Sequence, residues 1–117
     1  MPTLRELTDA IRQHPGVRAV VILGDDGLVI ETYDAGNDNA ESLAAHVPAV
    51  ASAARQLGIA ANAGEAQLVL LELQHGYGVI LRLSPQVMLF VSASSDVALA
   101  NLLFDVRSHR TSMAALV

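Results

Sequence analysis

Cysteine, tryptophan and lysine are absent from this 117-residue chain, and aromatic residues make up only 3% of it. Without cysteine there is no disulfide framework, no thiolate zinc site, no thiol nucleophile and no redox pair. Without lysine there is no phosphate-cradling P-loop lysine and no Schiff base. Aromatics are too few for base stacking. The formal net charge of −5 supplies no basic stripe to displace counterions, so no nucleic-acid partner is expected. The acidic residues are scattered rather than gathered in a tail. No apolar run approaches the ~18 residues needed to cross a bilayer, so no membrane insertion is expected. Met1-Pro2-Thr3 leads straight into an amphipathic segment, unlike a signal peptide, which points to a cytoplasmic protein.

Small aliphatic residues fill the place of what is missing. Apolar residues are 52% of the chain, led by 19 Ala, 17 Leu and 13 Val, and all seven basic residues are arginine. This bias suggests a GC-rich bacterial genome. The length predicts one domain over residues 1–117, large enough to bury a real core.

Thr3 and Glu6 read as a capping box at the start of a first helix, with Leu4, Leu7 and Ile11 on one face. His14-Pro15-Gly16 stops it. The β-branched run 17–24, the turn Asp25-Asp26-Gly27 and the run 28–33 predict a hairpin. A polar loop follows over 35–39. A second helix is predicted to about Ala61, capped by Asp38 with Glu41 or by Asn39 with Ser42. Pro48 predicts a kink in it; a helix starting only at Pro48 is the alternative. Strands at 66–74, 77–83 and 87–93, joined by His75-Gly76 and Ser84-Pro85-Gln86, predict antiparallel neighbours. Ser95 or Asp96 caps a last helix to about Ala114, with Leu99, Leu102, Leu103, Val106 and Met113 on its apolar side.

The order is therefore α-β-β-α-β-β-β-α. In the first strand Val17, Ala19, Val21 and Leu23 oppose Val20 and Ile22. In the last, Val87, Leu89 and Val91 oppose Met88 and Phe90. Strands apolar on both faces belong to a sheet covered on both sides, here by the terminal helices and by the middle helix.

The middle helix is anomalous. At 100° per residue, Leu43, Val47, Val50, Ala54 and Leu57 form a stripe that should face the sheet. The opposite side presents Ala45, His46, Ala49, Ser52, Ala53 and Gln56 where a monomer would carry charge. Between Ala40 and Ala61 the only formal charges are Glu41 and Arg55. Such a helix is expected to pack between its own sheet and a second protein, although alanine also serves as helix filler on a wet face. The third strand agrees: Val69, Leu71 and Leu73 alternate with Leu68 and Leu70. In a meander this strand could lie at a sheet edge, where an apolar strand needs a cover that the same strand of a second copy would provide; the alternative is a strand internal to the sheet.

The segments VRAVVILGDDGLVIETY, AESLAAHVPAVASAARQLG, GEAQLVLLELQHG and VMLFVSASSDVALANLLFDVR together resemble the Roadblock/dynein light chain superfamily, whose bacterial members include MglB-like proteins. The likeness spans roughly residues 3–110 and rests on element order, the D-x-G hairpin and the alanine-rich helix. It implies a profilin-like α+β fold, a five-stranded antiparallel sheet between a long middle helix and two terminal helices. It implies a homodimer in which the third strands pair and the middle helices lie side by side, using residues 67–73 (Gln67, Val69, Leu71 and Leu73 among them) and the face of Ala45, His46, Ala49, Ser52, Ala53 and Gln56. It also implies binding of a small Ras-like GTPase, as activator or scaffold. Pro48 departs from the family pattern, and the chain ends soon after its last helix, where some members carry a partner-binding extension.

No catalytic, cofactor-binding or metal-binding residue is predicted. Asp25 and Asp26 are turn formers. His14, His46, His75 and His109 lie in four different elements without ligand spacing; His14, His75 and His109 are expected in solvent and His46 near the interface. The cluster Ser92, Ser94, Ser95 and Asp96 is explained by capping. Arg55 is a possible GTPase contact, either as an arginine finger or as a solvated helix charge. Two other roles remain open: a structural dimer module without effect on nucleotide turnover, and a profilin-like ligand sensor. The sensor would need a pocket of several hundred Å³, for which no convergent polar residues are evident.

Overall fold

The computed structural model describes residues 2–34 and 39–117. Most of the loop predicted over 35–39, and Asp38 as a cap, lie outside them. The elements are α1 (Leu4–Arg12), β1 (Val17–Gly24), β2 (Val29–Asp34), α2 (Ala40–Ala60), β3 (Leu68–Leu73), β4 (Gly76–Ser84), β5 (Val87–Ala93) and α3 (Leu99–Ala114). All pairings are antiparallel, in the order β2-β1-β5-β4-β3. The expected element order and architecture are both present.

Local chemistry explains most boundaries. The Glu6 amide donates to Thr3 Oγ1 at 3.1 Å, and the Thr3 hydroxyl donates to Glu6 Oε1 at 3.2 Å, so the Thr3 cap holds the first turn. In the β1–β2 turn Gly27 takes φ 81°, a left-handed angle that a side chain would strain. Asn39 Oδ1 accepts from the Glu41 and Ser42 amides and caps α2. The helix runs unbroken through Pro48, so a start at Pro48 is excluded. The β3–β4 turn is Gln74-His75, one residue earlier than expected, because Gly76 already pairs with Leu73.

Two apolar clusters sandwich the sheet. Leu7 and Ile11 of α1 and Leu102, Val106 and Met113 of α3 bury Val20, Ile22, Leu89 and Val91. Ala44, Val47 and Ala51 of α2 bury Val21, Leu23, Ile80, Met88 and Phe90 on the other face. Two expectations fail here. Val17 packs with Val20 and Ile22, because the β1–β5 register shifts between Val17 and Ala19 and moves it to the other face. Neither Ser95 nor Asp96 caps α3, which starts later, at Leu99, with Ala98 as N-cap and no side-chain cap; Asp96 instead accepts from the Ser94 hydroxyl.

Candidate partner interface

The outward side of α2 is placed as the sequence suggests. Ala45, His46, Ala49, Ser52, Ala53 and Gln56 are all exposed, while Ala44, Val47 and Ala51 face the sheet. The His46 ring bonds to the Ser42 carbonyl one turn back, at 2.7 Å. Leu57 corrects the predicted inward stripe. It is 71% exposed, and Ile59 is 51% exposed. The β1–β2 turn packs against Ala44 and Ala45, and the residues of α2 buried on the sheet end at Ala51, so its last turns are not held down onto the sheet. Two large side chains therefore join the weakly charged outer face.

β3 is an edge strand, paired only with β4. Val69 and Leu71 are half-buried, Gln67 is exposed just before the strand, and Leu70 and Leu73 are 42% and 55% exposed. The two sheet edges differ in how they are guarded. At β2 the register shifts between Ile22 and Leu23, and Arg5 of α1 reaches Glu31 at 3.0 Å. A bulge and a covering charge pair both discourage strand addition. β3 keeps unbroken register over its six residues and carries one charge, Glu72.

An open groove of about 900 Å³ runs between α2 and β3. It brings Ala49 and Ser52 alongside Gln67 and Val69, and Arg55 lines it too. Ala45, His46, Ala53, Gln56, Leu71 and Leu73 lie outside it, further along the helix face and the strand. Arg55 does not project freely. It pairs with Glu65 just before β3, and its guanidinium holds the Glu65 carboxyl below the usual carboxylate range, first by the hydrogen bond and then by charge. A depressed carboxyl adds stability above its ordinary pKa and loses it as pH falls through the folded value. Both groups are exposed, so solvent screens the pair. The Arg55→Gln substitution is expected to return Glu65 to the ordinary carboxylate range. A side-chain carboxyl NMR titration reads this, and an unmoved Glu65 titration would contradict the pairing.

Sequence reading missed two groupings. Arg82 of β4 and Arg110 of α3 join Arg55 in the groove, which also holds Asp25 and Glu65. These residues are far apart in sequence, and only the tertiary fold collects them. His14 is not in solvent as expected: its side chain is 17% exposed and pairs with Asp105 of α3. Among the described residues no group of three or more His, Asp or Glu could hold a metal, and no helix is long and apolar enough to cross a membrane.

Comparison with known proteins places this geometry. Residues 3–93 match the sequence profile of the Roadblock/LC7 domain. No curated protein sequence matches the chain. Among solved structures, a Roadblock/LC7 domain from Streptomyces avermitilis superposes with TM-score 0.86 at 23% identity, over 97% of each chain. Myxococcus xanthus MglB superposes with TM-score 0.87 at 14% identity, over 97% of this chain and 93% of that one. An MglB in a tetrameric arrangement gives TM-score 0.88 at 14% identity, over 97% and 86%. At these identities the structures establish a shared fold. With the profile match covering most of the sequence and the fold agreeing along nearly its whole length, the chain belongs to the Roadblock/LC7 family.

Proposed function

We propose that residues 1–117 form a single Roadblock-type domain that acts in the cytoplasm as a homodimeric regulator or adaptor of a small Ras-like GTPase. One observation carries the dimer: the unguarded β3 edge lies beside a helix face that is almost free of charge. Pairing β3 with its copy satisfies the unpaired amides and carbonyls of both edges and covers Leu70 and Leu73. A two-fold axis makes each patch its own complement. The two α2 helices then approach through Ala45, Ala49, Ser52 and Ala53, which are small enough for close contact. The existence of an MglB in a tetrameric arrangement is in keeping with self-association in this fold.

The GTPase part of the proposal rests on what the Roadblock resemblance implies, with paired α2 helices as the docking platform. The test mixes the protein with a small Ras-like GTPase encoded near it and follows binding and hydrolysis. A stable complex or faster hydrolysis is expected, and neither, with an active GTPase, contradicts the proposal. Binding without a rate change identifies an adaptor. Because Arg55 is tied to Glu65, the Arg55→Ala substitution is expected to change any acceleration less than about threefold, whereas removal of an arginine finger costs about 10³-fold or more.

A further inference from the structure

The chain has only seven cationic side chains and a formal net charge of −5, yet three of its arginines, Arg55, Arg82 and Arg110, line the one groove between α2 and β3. Arg82 is the least solvated of the ion-paired ones there, with its side chain 25% exposed against 56% for Arg55. A guanidinium drawn out of water is costly unless its N–H groups find acceptors. Nη1 of Arg82 is well supplied. It donates to Asp25 Oδ1 at 3.2 Å, to the Ser84 carbonyl at 3.4 Å and to the Pro85 carbonyl at 3.0 Å. Among the described residues Nη2 meets only Met88 Sδ, at 3.4 Å, and a thioether is a weak acceptor. Nε has no acceptor among the described residues. The Nε–Nη2 edge, which grips a carboxylate or phosphate with two parallel hydrogen bonds, therefore has no protein oxygen on it among the described residues.

The charge count points the same way. Asp25 and Glu65 answer two of the three guanidiniums in the groove, and Arg110 donates to the uncharged Gln67. One positive charge is left over on an acidic protein. The groove's volume of about 900 Å³ lies within the usual range for small-molecule sites. Its lining also includes Val69, Ile80 and Met88, apolar surface for a carbon skeleton.

We propose that this groove binds a small organic anion, whose carboxylate or phosphoryl oxygens sit on the Nε–Nη2 edge of Arg82 with Arg110 and Arg55 supplying the remaining positive field. One copy of the chain carries the whole site, so this stands or falls apart from the GTPase reading. Four lining residues, Ala49, Ser52, Gln67 and Val69, also belong to the proposed dimer face, so the groove borders that face.

The test titrates citrate and inorganic phosphate separately into the full-length protein at constant ionic strength, with chloride as control. Binding is read by calorimetry and by the backbone amide shifts of Ser52, Arg82 and Ser84. Saturable binding at or below about 1 mM is expected for one of the two anions, the stronger identifying the carboxylate or the phosphoryl class. Asp25→Asn removes a negative charge beside the site while leaving the Nε–Nη2 edge in place, and is expected to tighten binding at least about threefold. A purely structural Arg82–Asp25 pair would give no such gain. Arg82→Gln is expected to weaken binding about tenfold. Arg55→Gln, at a solvent-exposed side chain, is expected to weaken it about threefold and serves if Arg82→Gln fails to fold. Shifts that chloride reproduces, or an Asp25→Asn affinity no better than wild type, would overturn the proposal.

Discussion

Ala49→Glu is expected to convert the protein from a species of twice 12.3 kDa to one of 12.3 kDa at micromolar concentration. Ala49 is exposed on the single chain, so the substitution leaves the fold intact and the far-ultraviolet circular dichroism unchanged. In a two-fold dimer each copy brings its own carboxylate to the contact. Burying an unpaired carboxylate costs several kcal/mol, so association should weaken by at least about 100-fold. Ala100→Glu, on an exposed position of α3, is the matched control and should leave the mass unchanged. Light scattering or sedimentation decides the matter. A wild-type chain already at 12.3 kDa in that range, or a dimer indifferent to Ala49→Glu, would remove the α2 face from the interface.

The second large effect is on stability. Leu89 sits in β5, the central strand, at 0% exposure among residues of α1, α3, β1 and β4. Leu89→Ala deletes buried methyl groups and leaves a cavity that a sheet flanked on both sides cannot collapse into. The expected loss is about 3 kcal/mol, or roughly 10 °C in Tm. Leu57 provides the contrast. It was expected on the inward stripe but is 71% exposed, so Leu57→Ala should change single-chain stability by less than about 0.5 kcal/mol. Its effect is expected on self-association instead. Chemical denaturation at several protein concentrations separates the two terms, because only the association term depends on concentration. Equal losses for Leu89→Ala and Leu57→Ala would contradict the assignment of Leu57 to the surface.

Much of the candidate interface was legible before folding was considered, and the reasons are local. A helix turns 100° per residue, so the near-absence of charge between Ala40 and Ala61 already implied an outer face of small, uncharged residues, which the structure exposes. Alternation in LVLLEL implied a strand with two apolar faces, while its edge position, open between edge and interior in the sequence, was set by the sheet order. Where the reading failed, the cause was an event outside the local repeat. A register shift in β1 sent Val17 to the opposite side. The contact of α2 with the sheet ended at Ala51, which left Leu57 exposed. The last helix began at Leu99 without any side-chain cap, so the polar cluster at 94–96 marked its entry loop rather than its start.

By itself the sequence determined the order of helices and strands, the two-faced sheet, the weakly charged helix surface and the absence of cysteine and lysine chemistry. Each of these depends on residue type and on spacing along a few turns or one strand. Only the tertiary structure decided which sheet edge is guarded and which is open, since the bulge in β2 and the Arg5–Glu31 contact arise between elements. It alone brought Arg55, Arg82 and Arg110 from α2, β4 and α3 into one groove. Side chains that far apart in sequence meet only when burial of the apolar faces forces their elements together, and no local periodicity records that meeting.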